Sequence, residues 1–241
     1  MTTAVTIAVF GADGRMGRAL QRIAGESADF AVVVALGRDD MPAAAFDVLI
    51  DFSGASGFDE ALVLARERGV ALVSGSTGLT DAQHAAMHTA AAAIPLLWSA
   101  NFSIGIAVLR QLVRDASRRL ADFDCEIHEA HHRDKKDAPS GTALVLGRDV
   151  AEARGIDFDA NNAVIRNAEH GARHAGEVVF SVTRGGDIVG EHAVQFIGHG
   201  ERLELVHRAT DRDIFARGAL HAARWIAGKP AGLYAIDDVL R

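Results

Sequence analysis

The chain has 241 residues, 49% of them hydrophobic, and a formal net charge of -7 with acidic and basic residues interspersed. That length allows one large or two small domains with a real core, and the charge leaves no electrostatic footprint for nucleic acid or an anionic membrane surface. A single cysteine, Cys125, excludes an internal disulfide, and no apolar run reaches the roughly 20 residues of a membrane span. The opening MTTAVTIAVFGADG runs straight into a strand and a glycine turn rather than a basic segment followed by an apolar one, which predicts a soluble cytoplasmic protein.

Residues 4–10, AVTIAVF, form a β-branched apolar run ending at Gly11, as a buried parallel strand ends. Met16, Ala19, Leu20, Ile23 and Ala24 then recur on one helix face, with Gly25 as a stop. FAVVVALG (30–37), DVLIDFS (47–53), VALVSG (70–75) and IPLLWSA (94–100) read as further buried strands, with helical stretches over 58–68 and 80–93. This alternation predicts right-handed crossovers and a doubly wound parallel α/β sheet of Rossmann type. Beyond residue 103 the pattern changes. A long amphipathic helix over about 104–120 leads to a strand around FDCEIHEA, a basic loop and a helix over 140–154. Residues 155–175 are polar and glycine-containing and read as a surface loop. Three valine- and isoleucine-rich strands (177–184, 187–197, 201–208) with glycine turns predict a second, smaller α+β domain with a mostly antiparallel sheet. A helix over 211–227 and the segment GLYAIDDVL finish the chain.

Two stretches carry chemistry. GADGRMG, residues 11–17, lies between a strand and a helix, the context in which a glycine turn lets helix N-terminal amides face a pyrophosphate. Its spacing is G-x-x-G-x-x-G, with Asp13 where a dinucleotide fingerprint has its middle glycine. At the end of the second strand, where NAD-binding folds carry an acidic residue, stands Leu36-Gly37-Arg38. Arg38, with Arg15, suits a 2′-phosphate and predicts a preference for NADPH; Asp39 and Asp40 keep NADH as the alternative.

The second stretch is EAHHRDKKDAPSGTA, residues 129–143. Ser140 is placed to cap a helix, leaving the amides of Gly141 and Thr142 at its positive end. His131, His132, Arg133, Lys135 and Lys136 add donors just upstream, only partly offset by Asp134 and Asp137, so a compact dianion is the natural ligand. Lys136 is equally well read as a solvated surface charge. Cys125, His128, His131 and His132 fall on opposite faces of a strand and off the usual zinc spacings, so no metal is expected. Cys125 inside an apolar strand pattern reads as an inert thiol.

With GADGRMG, the DFS and GSTG segments at 51–53 and 75–78, SANFSIG at 99–105, EAHHRDKKDAPSGTA and GGDIVGEH at 185–192, the chain resembles the dihydrodipicolinate (4-hydroxy-tetrahydrodipicolinate) reductase family nearly end to end. The resemblance implies a reductase of diaminopimelate and lysine biosynthesis that delivers hydride from a nicotinamide to a cyclic imine-type dicarboxylate, with loss of water. It implies a dinucleotide-binding domain over 1–102 and 212–241 and a substrate-binding and oligomerisation domain over 103–211, assembled as a homotetramer. Carried onto this sequence, Gly11, Ala12, Asp13, Gly14, Arg15 and Met16 hold the pyrophosphate. Gly75, Ser76, Thr77 and Ser99, Ala100, Asn101, Phe102 take the nicotinamide side. His131 is the acid/base, Lys135 the proton donor, and His132, Gly141 and Thr142 contact the substrate carboxylates. Gly37 departs from the acidic residue of dual-specificity members. A reductase for a different small dicarboxylate, or a sensor that binds NADPH without chemistry, are the competing readings; a proton donor is superfluous in a sensor.

Overall fold

The computed structural model describes residues 4–36, 44–164 and 171–241. The chain forms two compact units, residues 1–104 with 213–241, and residues 105–212. The first opens with β1 (Val5–Phe10), α1 (Arg15–Gly25), β2 (Phe30–Leu36), β3 (Val48–Asp51), α2 (Ala55–Arg68), β4 (Ala71–Ser74), α3 (Asp81–Ala90) and β5 (Pro95–Trp98). The second follows with α4 (Ile104–Arg119), β6 (Asp124–His131), α5 (Gly141–Arg154), α6 (Phe158–Asn161), β7 (Asn162–Val164), β8 (Val178–Arg184), β9 (Gly190–Ile197) and β10 (Arg202–Ala209). The chain then returns to the first unit with α7 (Asp213–Ile226), β11 (Gly232–Tyr234) and a 3₁₀ turn over Ile236–Leu240.

In the first unit the strands make one sheet in the order β11-β5-β4-β3-β1-β2, every ladder parallel. β3 and β4 are buried at every position, which is why their sequences lack the alternation of a half-exposed strand. Each nonetheless ends in a buried polar residue, Asp51 and Ser74. α7 packs through small residues, Ala216, Gly218, Ala219, Ala222 and Ala223, all buried. A Cβ on Gly218 would stand 1.7 Å from the carbonyl oxygen of Phe102, so only glycine lets these backbones touch. Direction reverses at β1: β2 lies on one side of it and β3 on the other, the switch point at which open α/β sheets bind ligands.

The second unit carries a five-stranded sheet in the order β10-β9-β6-β8-β7. β9 runs antiparallel to β6 and β10, while β8 runs parallel to β6 and β7. The sheet is therefore mixed, and its parallel pairings go beyond the hairpins the glycine turns announce. They arise because the connection from β6 to β8 passes through α5, long enough for a crossover. The polar stretch after residue 154 contributes α6 and β7 where a loop was expected. Its anchor is Phe158, whose ring meets Phe180 edge-on at 6.2 Å between centroids, over the space left by Gly147. Alternation along β6 puts Cys125, Ile127, Glu129 and His131 on the face that meets Phe196, Val194 and His192 of β9. The core of this unit forms there, from those apolar residues with Leu109 and Val113 of α4 and Ala143, Leu146 and Val150 of α5.

Candidate functional site

In the first unit the loops at the C-terminal ends of β1, β3, β4 and β5 lie side by side. Gly11 has φ of +78°, and a Cβ on Gly17 would fall 2.3 Å from the Gly11 carbonyl oxygen, so α1 closes directly onto the turn. Gly14 is the N-cap residue, with no side chain capping the helix and no acidic residue in the first turn. Asp13, Gly14 and Arg15 are exposed, Met16 is half-buried and Ala12 is buried. A cavity of about 260 Å³ opens beside this turn, lined by Gly11, Gly14, Phe52, Ser53 and Ser56 among others. An uncapped helix start with a backbone that only glycine can adopt fits a pyrophosphate, so a dinucleotide suits these residues. Asp13 and Glu60 also line the cavity; carboxylates there suit ribose hydroxyls rather than phosphates.

The neighbouring loops are tied together by Asp51. Its carboxylate, fully buried, accepts from the hydroxyls of Ser53 (2.6 Å), Ser74 (2.7 Å) and Ser76 (2.7 Å). Ser76 Oγ in turn accepts from the Gly54 amide at 2.9 Å, and Trp98 Nε1 donates to the Ser76 carbonyl at 2.9 Å. A Cβ on Gly75 would overlap the Phe52 ring, which itself meets the Phe102 ring at 5.6 Å. The side chains of Ser76 and Phe102 are thus spent on holding the loops; Thr77 and Ala100 are exposed, and Asn101 is half-buried. Ser99 Oγ donates to the Asn101 carbonyl at 2.7 Å, fixing the turn after β5. The sequence gives no direct signal for the Asp51 network beyond a polar residue closing an apolar strand. Arg38 lies outside the described residues.

In the second unit the site gathers at the end of β6. Glu129, with no exposed surface, accepts from His131 Nδ1 (2.6 Å), from both terminal nitrogens of Arg184 (2.7 and 2.8 Å) and from the Ser140 amide (2.9 Å). Burial alone would push this carboxyl up, but hydrogen bonds from His131, Arg184 and the Ser140 backbone outweigh it and hold it at about 2. Ser140 caps α5, its Oγ accepting from the Ala143 amide at 3.2 Å, and the same oxygen lies 3.0 Å from His192 Nε2. His192 is buried and meets His131 edge-on at 5.2 Å between ring centroids. Burial, and after it the neighbouring His131, lowers its pKa to about 3, so it is neutral at working pH.

The structure therefore joins His131 to the start of α5, where Gly141 is exposed and Thr142 half-buried. Lys135 pairs with Asp137 at 2.8 Å, and that contact holds the Asp137 carboxyl below its ordinary range. His132 is half-buried and Lys136 is exposed. His128 points to the opposite face of β6, with Nδ1 3.1 Å from Ser181 Oγ. Burial pushes the Cys125 thiol up to about 12, which makes it a poor nucleophile and a poor ligand. Among the described residues no group of three or more His, Cys, Asp or Glu is arranged to hold a metal ion. Glu129, Arg184 and His192 are the members that sequence reasoning passed over. The signal for Glu129 was its alternation with His131 on one strand face; Arg184 and His192 join only through strand register.

Comparison with known proteins shows the family. Residues 105–240 match the family model for the dihydrodipicolinate reductase C-terminus, and segments 5–45 and 39–102 match the model for its N-terminus. The chain is 48% identical over 257 residues to the 4-hydroxy-tetrahydrodipicolinate reductase of Stenotrophomonas maltophilia (strain R551-3), covering 99% of each. It is 44% identical over 257 residues to that of Xylella fastidiosa (strain 9a5c), covering 100% of each. Among solved structures, the dipicolinate-bound dihydrodipicolinate reductase from Paenisporosarcina sp. TG-14 superposes with a TM-score of 0.78 at 23% identity, over 96% of this chain and 97% of that one. No helix of the described residues is long and apolar enough to cross a membrane. A glycine turn at the switch point of a parallel sheet, a histidine tied to a helix start, and full-length matches at close to half identity leave one assignment: the chain belongs to the dihydrodipicolinate reductase family.

Proposed function

We propose that this oxidoreductase reduces 4-hydroxy-tetrahydrodipicolinate to tetrahydrodipicolinate with loss of water, the step its family carries out in diaminopimelate and lysine biosynthesis, with NADPH preferred over NADH. The observation that carries the reading is the single hydrogen-bonded unit formed by His131, Glu129 and the capped start of α5 beside the Lys135 loop. A reduced nicotinamide, when bound, supplies the hydride. The first unit binds it: the uncapped N-terminus of α1 takes the pyrophosphate, and the loops at 75–77 and 99–102 take the nicotinamide side. The second unit binds the substrate. Its carboxylates sit against Gly141 and Thr142 at the positive end of α5 and against His132, while His131 and Lys135 meet the negative charge that develops on the reduced carbon–nitrogen system and exchange its proton.

Preference for NADPH rests on Arg38 and on the absence of an acidic residue at position 37. The exposed Ile197 and Val206 on the outer sheet face of the second unit support a homotetramer built through that sheet. The deciding measurement is loss of reduced-nicotinamide absorbance with substrate generated in situ from pyruvate and aspartate semialdehyde, NADPH and NADH in parallel. Wild type turns over with both and faster with NADPH, and Arg38→Ala narrows the ratio. His131→Ala and Lys135→Ala each lower kcat by about 100-fold or more while NADPH binds as before. Full turnover in both variants sinks the role assignment.

A further inference from the structure

We infer that Glu129 is a positioning residue for this reaction: its carboxylate fixes His131 with the ring proton on Nδ1, leaving Nε2 as the nitrogen that exchanges a proton, and the same carboxylate holds the start of α5. The inference rests on the reading of His131 given above. Each oxygen of Glu129 is doubly engaged, Oε2 by His131 Nδ1 and Arg184 Nη1, Oε1 by the Ser140 amide and Arg184 Nη2. An ionised carboxylate only accepts hydrogen bonds, so at 2.6 Å the hydrogen between it and the imidazole belongs to Nδ1. A neutral imidazole protonated there carries no proton on Nε2.

Two further features bear on the ring. A Cβ on Gly190 would stand 3.0 Å from His131 Nε2, so glycine at the first position of β9 keeps that atom uncovered. Arg184, which pairs with His131 across the β6–β8 ladder, grips both carboxylate oxygens in a planar fork and so fixes the plane in which Glu129 meets the imidazole. The charged and titratable groups facing His131 are then Glu129 on its own strand, Arg184 from β8, His192 from β9, and Lys135 with Asp137 on the loop that follows. Of these, Glu129 alone hydrogen-bonds to the ring.

An ion pair that merely braces β6 against β8 would share the Glu129–Arg184 contact but would not select a tautomer. Nitrogen-15 NMR of the His131 ring in the full-length protein separates the two. The expected result is the Nδ1-protonated tautomer in wild type and a mixture of tautomers in Glu129→Gln. In the same variant kcat falls by about 10- to 100-fold, and KM for the substrate changes by less than about threefold. Added to His131→Ala, the Glu129→Gln change costs no further kcat.

A wild-type ring protonated on Nε2 overturns the proposal, as does a Glu129→Gln loss of the same size with and without His131. Should Glu129→Gln not fold, Glu129→Asp keeps the charge and withdraws it by one methylene; an unchanged tautomer and unchanged kcat there also overturn it. Full turnover in His131→Ala alone defeats the underlying role of His131, and with it the kinetic half of the proposal, while the wild-type tautomer still decides whether Glu129 sets the ring.

Discussion

The turn between β1 and α1 and the end of β6 are both read as anion sites, yet they are made of different material. The first is backbone: Gly11 at positive φ, Gly14 at the head of an uncapped helix, and Gly17 pressed against the turn, all within seven positions. The second is a network of side chains in which Glu129 meets Arg184 across 55 positions and Ser140 meets His192 across 52. A backbone site offers dipoles that do not titrate and tolerates no added atom. A side-chain site offers charge and protons, and its properties follow pH and the partners of each group. Binding a permanently charged pyrophosphate asks for the first kind; exchanging a proton with a substrate asks for the second.

Breaking the backbone site has the largest expected effect. Gly17→Ala drives a methyl into the Gly11 carbonyl and Ala12, weakening NADPH binding by about 100-fold and lowering stability by about 3 kcal/mol. Gly25→Ala, at the open end of the same helix with nothing within 4 Å, leaves both unchanged or slightly improves stability. Fluorescence titration and urea unfolding read the two quantities, and equal behaviour of the pair would mean the turn is not closed in the way described.

The side-chain site is separated from the backbone site by its pH response. His192 has a folded-state pKa lowered from 6.5 to about 3, so between those values the unfolded chain binds a proton that the folded one refuses. Stability should therefore fall on acidification through this window, by up to about 1.4 kcal/mol per pH unit. Glu129, held at about 2 against an ordinary 4.5, adds a second loss as the pH drops from 4.5 toward 2. Urea midpoints across pH 4 to 7 for wild type and His192→Gln test the first slope, which the variant flattens. The smallest effect is Ser140→Ala: removing the cap of α5 costs about 1 kcal/mol, with NADPH affinity unaltered. A loss of NADPH affinity in that variant would show that the two sites are not independent in the way their construction implies.

What the sequence made legible follows the same division. The strands of the first unit are short apolar runs and its glycines mark a local turn, so both the parallel sheet and the candidate cofactor site are read from contiguous residues. Ser140 as a helix cap is local too, and its Oγ accepts from the Ala143 amide. The mixed pairing of the second sheet is not local: β8 joins β6 in parallel through a crossover that the polar composition of residues 155–175 concealed. Once that register is set, it brings Arg184 beside His131 and His192 beside Glu129. No spacing rule in one chain predicts those pairs, because the distances that matter are about 5 Å across a sheet and more than fifty residues along the chain. The short α6 was hidden for a related reason, since it depends on Phe158 finding the Phe180 ring.

The contact of Gly218 with the Phe102 carbonyl bears on how the chain is made. The second unit is one continuous stretch, complete once residue 212 has left the ribosome, whereas the first waits for α7 and β11, which are synthesised after it. Until then its sheet lacks an edge strand and the helix that meets α1 and β4, although every residue of its glycine turn emerged before the second unit. A chain cut after residue 212 should accordingly keep a protease-resistant 105–212 core while residues 1–104 are degraded: the segment translated before the second unit is the one that matures after it.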